Sequence, residues 1–213
     1  MAGNENTIQE FIRALLENDR LMAGSILEGF SRNQRPLFVV ESLIAPALDR
    51  IGMEWERGQL ALSQIYMSSR ICEDLVDLLL PPAQMIRSDL PKMAIAVLED
   101  YHLLGKRIVY STVRAGGFGL LDYGRVDVPQ LVERTRQDQV EILLISTLML
   151  PSALRIREVK KSLDASGPGV KIIVGGAPFR LDRELWKEVG ADAMGTNASE
   201  AKTLIEGVIA NLR

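Results

Sequence analysis

The chain has 213 residues but one histidine and one cysteine. A lone cysteine, Cys72, excludes an internal disulfide and fits a reducing compartment. A lone histidine, His102, with no cysteine and histidine cluster at ligand spacing, excludes a zinc site built from protein side chains alone. No glycine-rich phosphate loop is present either. Basic excess is missing: 28 acidic residues stand against 25 Lys and Arg, and no basic stripe is interleaved with aromatics, which argues against nucleic acid as a partner. No apolar run approaches the roughly 20 residues that span a bilayer, which argues against a membrane. The opening "MAGNENTIQEF" lacks the basic and apolar regions of a secretory signal. These absences leave a cytoplasmic globular protein of one or two domains as the expectation.

What is present falls into two patterns. Residues 1–86 read as helices throughout and are expected to form a four-helix bundle. "TIQEFIRALLEND" opens with Thr7 and Glu10 at capping-box spacing and puts Ile8, Phe11, Ile12, Leu15 and Leu16 on one face. "LMAGSILEGFSRN" fits a second, shorter helix. Pro36 suits the first turn of a third, in which Leu37, Val40, Leu43, Ile44, Leu48 and Ile51 recur at spacings of three and four, with Gly52 or Gly58 to bend or end it. A fourth runs from about Leu62 to Leu80, with Cys72 in its apolar face, until "PPAQ" stops it.

"PPAQMIRSDLPK" reads as a linker, with its closing part, residues 87–92, joining the bundle to a second domain over 93–213. There "MAIAVLE", "FGLLDYG", "VEILLISTL", "VKIIVGG" and "ADAMGT" read as five strands. The segments between them read as helices beginning near Gly105, Pro129, Pro151, Asp182 and Ala198. Such alternation implies right-handed crossovers and a parallel sheet covered on both faces, an α/β doubly wound domain; in a flavodoxin-like (Rossmann) strand order of 2-1-3-4-5, its first, third and fourth strands are adjacent.

Sheets of this kind bind ligands beyond the carboxyl ends of their strands. The first strand is followed by Asp100, His102 and Gly105, the third by Ser146, Thr147 and Leu148, and the fourth ends in Gly175 and Gly176. Glycines there remove side chains where a bulky group can lie against the backbone. Read singly, each residue also has a structural explanation: His102 as a hydrogen-bonded fixture, Ser152 as the cap of the helix after Pro151, Trp55 and Leu62 as bundle core. The acidic pair Glu99 and Asp100 is similar to the edge of a phosphoacceptor receiver domain, but Ser146 stands where that domain places an aspartate.

Together, D-x-H-x-x-G (Asp100, His102, Gly105), S-x-L (Ser146, Leu148) and G-G (Gly175, Gly176) resemble the signature of cobalamin-binding domains whose lower axial base is displaced by histidine. The resemblance extends over nearly the whole chain. "LIAPALDRIGMEWERGQLALSQIYMSSRI" is similar to the helical cap of methionine synthase and of the corrinoid proteins of methanol, methylamine and O-demethylase systems. It implies cobalamin as cofactor, with His102 as the cobalt ligand, Asp100 accepting its other ring proton and Ser152 hydrogen-bonded to Asp100. Ser146, Thr147, Leu148, Gly175 and Gly176 would line the slot for the displaced base, and Trp55 and Leu62 would cover the upper face of the corrin. The implied cobalt cycles between methyl-Co(III) and Co(I).

The implied function is that of a non-catalytic subunit carrying a methyl group from a substrate-specific methyltransferase to a second one, for example tetrahydrofolate-dependent, with a reductive activator. A cobalamin-binding sensor or regulatory module is the alternative. The loop departs from the common G-D-x-H-D-I-G-K-N form at Glu99, Leu103, Leu104 and Arg107, and Tyr101 fills its variable position.

Overall fold

The computed structural model describes residues 2–79, 90–165 and 169–212, so most of the proposed linker lies outside the described residues. The chain separates into two compact units, Met1–Pro81 and Pro82–Arg213.

In the first unit, α1 (Ala2–Leu16) buries Ile8, Phe11, Ile12 and Leu15. Thr7 lies inside this helix rather than at its cap, because the chain is already helical from Ala2. The early start is supported by Glu5, which sits in the first turn and accepts both guanidinium nitrogens of Arg50 at 2.5 and 2.8 Å. Asp19 caps α2 (Arg20–Ser31) by accepting from the Met22 N–H. The third expected helix is a composite: α3 (Pro36–Val39), a π-turn (Val40–Ile44) and α4 (Ala45–Glu56). Its cause is Pro46, which has no N–H to donate and whose ring would crowd the carbonyl four residues back, so the Ala45 N–H reaches the Val40 carbonyl and widens the turn.

Gly52 passes through α4 without ending it, and Gly58 is the terminator at φ +72. The Gly58 N–H reaches the Trp55 carbonyl and the Gln59 N–H the Glu54 carbonyl, the paired bonds of a Schellman turn. The helix α5 (Leu62–Leu79) completes the unit, with Ile71, Cys72 and Val76 buried.

The second unit is a parallel sheet of order β2-β1-β3-β4-β5, formed by β1 (Met93–Leu98), β2 (Leu121–Val126), β3 (Ile142–Ser146), β4 (Lys171–Gly175) and β5 (Ala193–Gly195). One face packs against α7 (Val128–Gln137), α8 (Leu150–Asp164), α9 (Ala177–Leu181) and α10 (Leu185–Glu188), with Leu143, Ile145, Val174 and Phe179 in the core. The opposite face packs against α6 (Leu104–Ala115) and α11 (Ala201–Ala210) through Ile95, Leu144, Ile173 and Ile205. Lys106, buried in the first turn of α6, pairs with Asp122 of β2.

Two boundaries differ from the sequence reading. The second strand begins at Leu121 rather than Phe118, and Gly124, at φ +66, sits in a bulge within it instead of ending it. After β4 the chain turns directly into α9, a helix the sequence reading lacked, since Pro178 suits a first helical turn, and Asp182 lies between it and α10, which begins at Leu185.

Register places Val97, Ser146, Gly175 and Gly195 in one row across the carboxyl ends of four strands. Next to that row, Gly176 has φ +121, and a Cβ there would lie 1.7 Å from the Thr147 carbonyl oxygen. Gly176→Ala is therefore expected to cost about 3 kcal/mol or more. Denaturant titration measures it; a wild-type midpoint would contradict the close approach of these two backbones.

Candidate functional site

The site starts where β1 ends. Glu99 takes φ +47, a left-handed conformation, and its N–H bonds to the Val126 carbonyl, so the chain turns sharply off the sheet. Asp100 follows, only 2% exposed. Its Oδ1 accepts the His102 backbone N–H at 3.1 Å and lies 2.6 Å from His102 Nδ1. Its Oδ2 accepts the N–H groups of Leu148 at 2.7 Å and Met149 at 2.9 Å, in the loop between β3 and α8. Burial pushes the Asp100 carboxyl up, but the hydrogen bonds from the His102 ring and the three backbone N–H groups outweigh it and hold it well below the usual carboxylate range.

An ionised Asp100 can only accept, so His102 Nδ1 must carry its proton, and the lone pair of the neutral ring stands on Nε2. The ring is about a third exposed, at 35%. This is one oriented ligand atom with its second partner already fixed. Beside it Tyr101 is exposed, and the Arg125 guanidinium lies 3.8 Å from its ring centroid.

Ser152 differs from expectation. Its hydroxyl donates to the Glu99 carbonyl at 3.1 Å rather than to Asp100, whose two oxygens already accept two bonds each. It does not cap α8 either, since Met149 holds the cap position. Sequence reasoning missed Arg155, whose Nε and Nη2 lie 3.2 and 3.4 Å from the Glu99 carboxylate. The available signal was its spacing, three residues after Ser152 on the same helix face.

The row of small residues lies on the sheet face covered by α6 and α11. Gly105, in the first turn of α6, would put a Cβ 3.4 Å from Ser146 Oγ, so the glycine keeps the helix close to the serine. Gly195 joins Gly175 in this row through the β4–β5 register, which the strand pattern alone does not fix. Thr147 is buried with a hydroxyl that finds no partner, while Leu148 is 42% exposed. In the helical unit Trp55 is 41% exposed at the end of α4 and is not bundle core. Leu62 opens α5, and its side chain lies outside those described.

A family model described as B12 binding domain matches residues 92–204, and a second of the same description matches residues 2–80. The chain belongs to the B12-binding domain family. Among its relatives, dimethylamine corrinoid protein 2 of Methanosarcina acetivorans is 30% identical over 210 residues, covering 94% of this chain and 95% of the relative. Trimethylamine corrinoid protein of Methanosarcina barkeri is 26% identical over 219 residues, covering 98% and 99%. In fold, the chain superposes on the monomethylamine corrinoid protein of M. barkeri with a TM-score of 0.82 at 24% identity, covering 96% of this chain and 99% of that one. A cobalamin-binding protein of Desulfitobacterium hafniense gives 0.52 at 22% identity, with 94% and 97% covered.

The residues of this B12-binding chain fit a corrinoid. Among the described residues, no group of three or more His, Cys, Asp and Glu could hold a metal ion. His102 offers one nitrogen, so a metal bound here must arrive with its other ligands in place, as cobalt does in a corrin ring. Gly175 and Gly195 bring no side chain to the row beside Ser146, and the buried Thr147 hydroxyl next to it has no hydrogen-bond partner, a polar atom that a bound group could engage. No helix among the described residues is long and apolar enough to cross a membrane.

Because the folded carboxyl of Asp100 titrates below the ordinary aspartate value of about 3.9, its stabilisation is complete above that value and disappears as pH falls through the folded one. Asp100→Asn is expected to cost about 2 kcal/mol at neutral pH, with the gap to wild type narrowing below about pH 4. Denaturant midpoints measured across that range test this. A gap independent of pH would show that the carboxylate charge is not what holds the loop.

Proposed function

We propose that this chain is a corrinoid-carrying subunit that passes a methyl group between two methyltransferases, with His102 as the lower axial ligand. The observation that carries the reading is the Asp100–His102 pair, which leaves Nε2 as the single oriented donor beside a row of small residues. When bound, the corrinoid supplies cobalt as the acceptor and donor of the methyl group. The protein's own residues bind and orient it.

Asp100 holds the proton on Nδ1, which keeps the lone pair on Nε2 and raises its basicity as a ligand. Ser152 steadies the Glu99 carbonyl and so the peptide that leads into the pair. Gly105, Ser146, Thr147, Leu148, Gly175 and Gly176 would hold the displaced lower base, with the Ser146 hydroxyl and the unpartnered Thr147 hydroxyl as its polar groups. Trp55, with Leu62, would shield the upper face. The relatives named corrinoid proteins of dimethylamine and trimethylamine support a methylated small substrate, handled by a separate methyltransferase. The solved methanol:cobalamin methyltransferase complex of M. barkeri, with a TM-score of 0.50 at 18% identity over 96% of this chain and 80% of that one, shares the fold. A second methyltransferase and a reductive activator would complete the cycle.

The test is the EPR spectrum of the protein loaded with cobalamin and reduced to Co(II), with nitrogen-15 histidine, beside His102→Ala. Hyperfine coupling to the labelled nitrogen is expected in wild type and absent in the variant. Failure to bind cobalamin would sink the carrier reading. Binding without coupling would keep the carrier and remove His102 as ligand.

A further inference from the structure

Glu99 combines two features that call for a common cause. Its backbone is left-handed at φ +47, a conformation that glycine adopts freely and a residue with a Cβ adopts at a cost. Its side chain and its carbonyl are both held by one face of α8: Arg155 Nε and Nη2 at 3.2 and 3.4 Å from the carboxylate, and Ser152 Oγ at 3.1 Å from the carbonyl. Arg155 also holds Glu158 at 2.5 Å, which fixes the guanidinium on the helix surface. The next residue, Asp100, is gripped by the N–H groups of Leu148 and Met149 at the start of the same helix. The peptide between Glu99 and Asp100 is thus fastened to α8 on both sides, and His102 stands two residues further on.

We infer that the Glu99–Arg155 ion pair is a positioning device for His102. A glycine at 99 would relieve the strained backbone but free the peptide that presents the Asp100–His102 pair. Glutamate keeps the strain and closes the peptide against α8 through Arg155. The direction of Nε2 is then set before any ligand arrives, which lowers the ordering needed on binding. The consequence for ligation rests on the proposed role of His102, whereas the ordering of the ring itself does not.

Because His102 is the sole histidine, nitrogen-15 histidine labelling reports on it alone in the intact, cofactor-free chain. The measurement is solvent exchange of the Nδ1 proton in wild type, Glu99→Gly, Arg155→Met and the swapped double variant Glu99→Arg with Arg155→Glu, with thermal midpoints recorded alongside. In Glu99→Gly and Arg155→Met the exchange is expected to quicken roughly two- to fivefold, the size of effect a half-exposed ion pair supports. Glu99→Gly should nevertheless match or exceed the wild-type midpoint, since its backbone strain is gone. The swapped pair should recover part of the slow exchange.

Unchanged exchange in both single variants would overturn the inference, as would faster exchange that merely follows a lowered midpoint in every variant. The outcomes separate from those of the ligand proposal. Exchange effects without cobalt coupling in wild type would retain the positioning pair and remove the ligand, while coupling without exchange effects would do the reverse.

Discussion

Every part of the site depends on one buried carboxylate and the four donors that surround it. Asp100 lies at the end of the central region of the sheet, where burial alone would favour its neutral form. Two N–H groups from the loop before α8, one backbone N–H from His102 and the imidazole itself reverse that preference. The result joins β1, β3 and α8 through a single side chain. It also fixes which ring nitrogen of His102 carries a proton, and therefore which can bind a metal.

The second constraint is steric and comes from parallel pairing. Because β3, β4 and β5 run in register, small residues at their carboxyl ends fall into one row without being neighbours in sequence. Gly176 then lets its backbone approach Thr147 more closely than any side chain would allow. The row without side chains and the donor atom at the sheet's edge arise from different segments, brought together by the strand order. A protein site that offers one nitrogen suits a metal that carries most of its own coordination.

Much of this was legible in the sequence. The five strands followed from apolar runs alternating with helical periods, and the three motifs fall at strand ends on the sequence pattern alone. What was not legible depends on contacts distant in sequence. Thr7 has the spacing of a helix cap, yet the Glu5 pair with Arg50 supports an earlier start. Pro46 falls inside the third expected helix, where the apolar spacing gives no sign that its missing N–H widens the preceding turn. Ser152 has the right position to reach Asp100, but the carboxylate is already satisfied and the hydroxyl turns to the adjacent carbonyl. Glu99 was visible as a departure from the glycine of related loops, whereas its partner Arg155 required the placement of α8 against the end of β1.

The most direct test of the carboxylate frame is the tautomer of the one imidazole in the wild-type chain. Nitrogen-15 chemical shifts of labelled His102, taken without cofactor at mildly alkaline pH, distinguish the two neutral forms. A ring protonated at Nδ1, with an unprotonated Nε2, is the expected result. A ring protonated at Nε2 would mean that Asp100 does not hold the histidine as described, and the nitrogen assigned to the metal would not be free to bind it.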